Sequence, residues 1–188
     1  MHVETTRILR AWLEHPTYGL EAMLPAIGRL HTPDTDGEQA EDDVPAVPAF
    51  YDDVDSDGLA GVDGVTPPEL PALVLVVDSD PRSTDIGQPD KPAAEMVLNG
   101  GLGYYAEDTG REQGVRDANY ILRAAWNSLR WYNQPRRRVK ATGYLTELNG
   151  VKVVKVQALT VQRMAGAVGR GTLLAVLVFD VIVLNTYD

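Results

Sequence analysis

Residues 172–185 read TLLAVLVFDVIVLN, and this stretch decides the fold class. In an extended chain, successive side chains point to opposite faces. Leu173, Ala175, Leu177, Phe179, Val181 and Val183 then line one face, and Leu174, Val176, Val178, Asp180, Ile182 and Leu184 line the other. All but Asp180 are apolar, so the strand needs cover on both sides. One side can be the chain's own helices. The other points to a neighbouring subunit, because the rest of a chain this small offers little to cover it. A lone buried carboxylate is costly unless paired, so Asp180 is expected to meet an Arg or Lys or to reach the sheet's end. The run, interrupted at Asp180, falls well short of the roughly 18 apolar residues that cross a bilayer.

Working backwards from that strand, Val151 to Gln162 and Val139 to Leu148 read as two more strands. Asn149-Gly150 between them is a strong hairpin signal. Residues 163–171, rich in small side chains, read as the loop before the final strand. The best helix lies between Glu112 and Asn133, where Val115, Ala118, Leu122, Ala125, Leu129 and Tyr132 recur at steps of three and four. Gln134-Pro135 ends it. Ala94 to Leu98 and Leu102 to Ala106 read as strands around a turn or bulge at Asn99-Gly100-Gly101. Leu73 to Val77 reads as a buried strand, and residues 79–93 as loop. At the N-terminus, Ile8, Leu9, Trp12 and Leu13 form a helical face after a cap at Thr5 or Thr6. Leu20, Met23, Leu24, Ile27 and Leu30 form a second, in which Pro25 forces a kink or break. The sum is a single α+β domain over residues 1–188. A mainly antiparallel sheet carries the N-terminal helices and one long amphipathic helix on one face.

Charge is segregated along the chain. The net charge is −10, yet residues 32–70 alone hold twelve Asp or Glu and no Lys or Arg. Residues 32–71, with six prolines and four glycines, read as an acidic insertion or arm within the domain. Residues 111–170 hold twelve Lys or Arg against three acids. Two accounts of this asymmetry stand at this stage: an acidic surface loop on a domain of mixed charge, or packing of complementary charges between copies of the chain. On the second account Arg136, Arg137, Arg138, Lys140, Asp180, Asp52, Asp53, Asp55 and Asp57 are the expected subunit-interface residues. Arg136-Arg137-Arg138 beside Trp131 and Tyr132 also invites comparison with a nucleic-acid patch. Three adjacent arginines in a turn cannot all face one way, however, and the acidic arm competes for them.

Catalytic and metal signals are weak. The chain has no cysteine, which excludes disulfides, thiolate metal sites and cysteine nucleophiles. His2, His15 and His31 lack metal-ligand spacing, and no serine sits in a nucleophile elbow. Asn99-Gly100-Gly101-Leu102-Gly103 lacks the Lys-Ser/Thr of a phosphate loop. Asp53-Val54-Asp55-Ser56-Asp57-Gly58 matches the first half of a calcium loop, but its twelfth position is Gly64 where a Glu is required. A solvated acidic turn accounts for it; the alternative is a weak divalent-cation site at Asp53, Asp55 and Asp57. The N-terminus, Met1-His2-Val3-Glu4, has no basic-then-apolar leader. The expectation is a soluble, non-enzymatic chain with no cofactor, no bound metal and no membrane partner.

This order of elements resembles the tail terminator (tail completion) proteins of long-tailed bacteriophages. The resemblance rests on the helical segment containing Arg7 to Leu13, the strand Leu73 to Val77, and the helix ending Leu129-Arg130-Trp131-Tyr132-Asn133. The strand meander ending in Leu177 to Leu184 completes it. It covers residues 1–31 and 72–188 and is a likeness of architecture rather than of a motif. The acidic insertion and the segment from Asp78 to Pro92 depart from the family pattern. The resemblance implies a homo-oligomeric ring, usually hexameric, that caps the tail tube and joins it to a head-side connector or stopper. DNA is then only passing cargo, and the protein belongs to the tail or neck of the virion after assembly in the host cytoplasm. The loop Arg163 to Gly171, with Arg163 and Arg170, is expected to face the channel or the adjacent tube ring. Two alternatives are another neck component, such as a stopper or head-completion protein, and a non-viral cation-dependent binding module.

Overall fold

The doubly apolar stretch is β7 (Gly171–Asn185), flanked by β4 (Glu95–Glu107) and β6 (Val151–Val168). The computed structural model describes residues 1–31, 44–52, 67, 69–78, 82–83, 95–107, 111–140, 145–168 and 171–185. Within them, β1 (Ala49–Asp52), β2 (Ala72–Val77), β3 (Arg82–Ser83) and β5 (Glu147–Leu148) complete a seven-stranded sheet of order β1-β2-β4-β7-β6-β5, with β3 also on β4. Every pairing is antiparallel except β1 with β2. The helices are α1 (His2–Leu13), α2 (Leu20–His31), α3 (Arg111–Tyr132) and α4 (Pro135–Lys140). The fold is α+β.

The odd-numbered face of β7 enters the core. Ala175, Leu177, Phe179, Val181 and Val183 are buried with Leu73, Leu75, Leu98, Leu102, Val153 and Val156 from neighbouring strands. Against them lies the stripe of α3: Ala118, Ile121, Leu122, Ala125, Leu129 and Tyr132, all buried. The Trp12 ring, fully buried, stacks on Tyr18 (5.6 Å) and meets Tyr132 edge-on (5.1 Å). Its Nε1 donates to Ser128 O at 3.0 Å, while Ser128 Oγ donates to Tyr18 O at 2.7 Å. One aromatic cluster thus joins α1, α3 and the segment between α1 and α2, with its polar atoms satisfied.

Several sequence expectations are corrected by this arrangement. Asn99-Gly100-Gly101 is no turn but the middle of one continuous β4, whose register shifts instead between Tyr104 and Tyr105. The glycine at 100 is explained by its partner across the ladder. A Cβ there would collide with Cε2 of the Phe179 ring and lie 2.7 Å from Cζ. Of the strand expected over Val139 to Leu148, Val139 and Lys140 are helical and Glu147–Leu148 is strand, while residues 141–144 lie outside the described residues. Pro135 ends α3 and also opens α4, because a first-turn proline loses no helical hydrogen bond. The loop expected over residues 163–171 is mostly strand. β6 runs to Val168 and β7 starts at Gly171, and a register shift between Arg163 and Gly166 absorbs the surplus residues.

The acidic insertion is not wholly loop either, since it contributes β1 to the sheet edge. At the N-terminus, Thr5 and Thr6 lie inside α1 rather than at its start, and Thr5 Oγ1 donates to Met1 O at 2.9 Å. α2 continues through Pro25. The hairpin signal at Asn149-Gly150 is realised: both residues have positive φ (47° and 72°), as the turn between β5 and β6 requires.

Candidate functional site

The even-numbered face of β7 carries the feature that helices do not explain. Val176, Val178 and Ile182 are half-buried there. Cross-strand register places Val97 beside Ile182, and Gly101 then Val76 beside Val178. Val76 is 45% exposed, an unusual value for an aliphatic side chain on an inner strand. Among the described residues the core and its helices lie on the opposite face. Asp180 sits in the middle of this open face, half-buried, with Asn99 on one side and Gln157 on the other. It therefore reaches neither the sheet's end nor an Arg or Lys across the ladder. Neutral amides flank it instead, and these can donate to a carboxylate without adding charge.

Different side chains hold the two edges of the sheet. At one edge, β1 ends in Asp52, which is fully buried and accepts a 2.6 Å hydrogen bond from Arg10 Nη1 of α1. Arg10 Nε also donates to Glu14 Oε1 at 3.2 Å. Burial works against the Arg10 charge, but the Asp52 bond and then Glu14 outweigh it, so its pKa lies above the ordinary value. Asp52 is consequently an internal anchor, its charge paired within the chain. Asp53, Asp55 and Asp57 follow it directly in sequence and lie outside the described residues.

At the opposite edge, α4 lies beside β6. Its helical turn sends three adjacent arginines in different directions. Arg136 is exposed, as is Lys140 one turn later. The Arg137 guanidinium lies 3.3 Å from the centroid of the Trp131 ring, and its buried Nη1 has no hydrogen-bond partner among the described residues. Arg138 Nη1 donates to Val154 O at 2.8 Å, and its Cζ lies 5.3 Å from the Tyr132 ring centroid. Arg138 thus holds the backbone of β6 from α4.

Asn133 performs the same service one step along. Its Nδ2 donates to Val156 O at 2.5 Å and its Oδ1 accepts from Val156 N at 2.8 Å. Together these side chains occupy backbone groups that a missing neighbour strand would otherwise take. Beyond them, Lys152 and Lys155 are exposed on β6, with Glu147 the exposed acid on adjoining β5. The outer surface of α3 continues the positive character with Arg116, Arg123 and Arg130, all exposed and seven residues apart.

Arg163 is placed on β6 opposite Ala175, and Arg170 lies outside the described residues. Of the loop expected over residues 163–171, residues 163–168 and 171 are strand, and residues 169–170 lie outside the described residues. Among the described residues no group of His, Asp or Glu is assembled that could hold a metal ion, and no helix is long and apolar enough to cross a membrane. Arg10 and Asn133 were not singled out in the sequence. Arg10 meets a partner 42 residues away, and no local spacing announces such a pair. No protein-family model matches the chain, and no curated protein matches it in sequence.

Proposed function

We propose that this chain is a structural virion protein. On this reading it forms a homo-oligomeric ring, a hexamer by resemblance, at the head-proximal end of a phage tail. The ring ends the tail tube and joins it to the head-side connector or stopper, DNA passes through it as cargo, and the protein catalyses no reaction. The observation that carries the reading is the open face of the central strands. Val76, Val97, Val176, Val178 and Ile182 form an apolar patch on β2, β4 and β7 that the helices leave uncovered. A part-exposed apolar patch on a sheet suits lasting contact with protein. The α+β order on which the family resemblance rests supports the same reading.

Native mass spectrometry and negative-stain microscopy of the purified chain test it. The expected result is a closed ring that is indifferent to chelators and sediments with assembled tail tubes. A monomer at every concentration, or a monomer that binds calcium, would overturn the reading; the second result would favour a cation-dependent binding module.

A further inference from the structure

The ring reading does not say how the subunits meet, yet the sheet has two free edges on opposite sides of one layer. At the first, no strand pairs with the outer side of β1 among the described residues. Ala49 N donates to Pro71 O on the β2 side, so by alternation Phe50 turns its own N–H and C=O outward. At the second, β5 covers only Val151 and Lys152 of β6. Thr146 O, Arg138 and Asn133 then take backbone groups of Val153, Val154 and Val156. Among the described residues that cover stops there, and no strand lies outside β6 from Gln157 to Val168. Sheet edges are ordinarily blunted by prolines and charges; this stretch has no proline and one charge, Arg163. Between two register shifts, Thr160 to Arg163 pair regularly with β7, a run of four residues that matches the length of β1. Each edge also carries an apolar side chain that the single chain leaves partly open. Phe50 and Val161 are only partly buried against the core, on the helix side where their partners Leu73 and Leu177 lie. Val47, just before β1, is 43% exposed.

We propose that copies of this chain join edge to edge, β1 of one copy pairing antiparallel with Thr160–Arg163 of the next, so that one sheet continues through the subunit boundary. The inference rests on the ring reading and names its junction. Strand direction selects the pairing. β1 runs with β2 and β7 and against β4 and β6. A neighbour turned only about an axis lying along the strands therefore offers β1 antiparallel to β6, and such a contact between unlike surfaces closes into a ring when its rotation allows. The faces select the register. Phe50 opposite Val161 keeps both on the helix side, with Tyr51 opposite Thr160 and Ala49 opposite Gln162 on the open side. A slip of one residue would reverse every face. An aromatic beside a β-branched side chain is also a favourable cross-strand pair. A second copy is favoured over a foreign strand because the two free edges belong to one chain and match in length, direction and apolar side chain. A foreign strand would fill one edge and leave the other open. Pairing like edges, β6 on β6, stops at two copies and leaves both β1 edges bare.

The test exploits the absence of cysteine. In the full-length variant Tyr51→Cys with Thr160→Cys, the two thiols of one chain lie four strand spacings apart, about 19 Å. A bismaleimide with a short spacer therefore joins them only between copies, where their Cβ atoms should face each other at about 5 Å. A denaturing gel should show a ladder that ends at the mass of the ring, while each single variant stays at the mass of one chain. Tyr51→Cys with Gln162→Cys probes the register two residues away and should cross-link more weakly. Amide hydrogen exchange needs no substitution. Exchange at Phe50 and over residues 157–163 should slow at least about tenfold between dilute monomer and assembled ring.

A parent ring whose edge amides exchange as fast as in the monomer overturns the edge pairing and leaves the ring reading intact. Two double variants that are folded by circular dichroism, assemble and yet fail to cross-link do the same. So do cross-linked dimers of Thr160→Cys alone, since they report β6 on β6. Stronger cross-linking through Gln162→Cys overturns the register and supports the pairing. If the cysteines unfold the chain, the exchange experiment decides. A parent that is monomeric at every concentration overturns both readings.

Discussion

Replacing Gly100 by Ala puts a methyl group into the ring of Phe179. The new Cβ would collide with Cε2 and lie 2.7 and 2.9 Å from Cζ and Cδ2, and the ring itself is fully buried. Comfortable carbon contacts lie at about 3.5–4.0 Å, so even the two farther atoms must withdraw by roughly 1 Å. Phe179 has no free space to enter, being packed in the core cluster with Leu98, Leu102 and Val181. Overpacking at the upper end of the usual range costs about 3 kcal/mol. Alanine's smaller conformational loss in a strand returns roughly 0.5–1 kcal/mol. The net expectation is a loss of about 2 kcal/mol, or roughly 4–8 °C in Tm for a chain of this size.

Phe179→Leu alone should cost about 1–2 kcal/mol through the cavity it leaves. In the double variant the added methyl occupies part of that cavity. The two effects should therefore couple by at least ~1.5 kcal/mol in urea unfolding at one fixed protein concentration. Additivity within about 0.5 kcal/mol would refute the claim that Gly100 exists to admit the ring.

Arg10→Met leaves Asp52 buried without its cation and should destabilise the chain by about 3 kcal/mol. Arg10→Met with Asp52→Leu should recover much of that loss, as thermal denaturation can check. Asn133→Ala frees the N–H and C=O of Val156 on β6 and should cost about 1–3 kcal/mol, with faster aggregation followed by light scattering. Burial first, and then the charge of Asp117, push the Tyr104 hydroxyl up to about 12. A folded-state value above the unfolded one, about 10, means that this contribution is complete below pH ~10. It is lost as pH rises from there towards 12. Stability should therefore fall over that alkaline window, with phenolate absorbance growing alongside unfolding, and Tyr104→Phe should flatten the fall.

α3 was legible because its buried positions follow a period that only a helix has, and β7 because a run apolar on both faces has few other destinations. Both are decided by neighbours a few residues away. The errors fall where a residue's reason is distant. Gly100-Gly101 carries the local signature of a turn, yet Gly100 answers to Phe179 across the ladder. Pro135 is a stop signal to the helix before it and a start signal to the helix after it, and the sequence alone favoured the stop. Small residues from Ala165 to Ala167 suggest a loop until a bulge lets them pair. Among the interface candidates, Arg136 and Lys140 are exposed. The internal bonds of Asp52 and Arg138 were not legible, because their partners, Arg10 and Val154, come from separate elements.

The central position of β7 has a consequence for synthesis. It is the last of the seven strands to leave the ribosome, yet it is the one against which both β4 and β6 close. Until then, two of the longest strands in the chain each face water along the side that β7 will take. Helices, the β5–β6 hairpin and the β1-β2-β4 pairings can form during translation, but the two halves of the sheet cannot join. The nascent chain thus passes through an interval in which its longest unpaired edges coexist with neighbouring chains on the same messenger. On the proposed ring reading, joining of copies has to wait until β7 has been made.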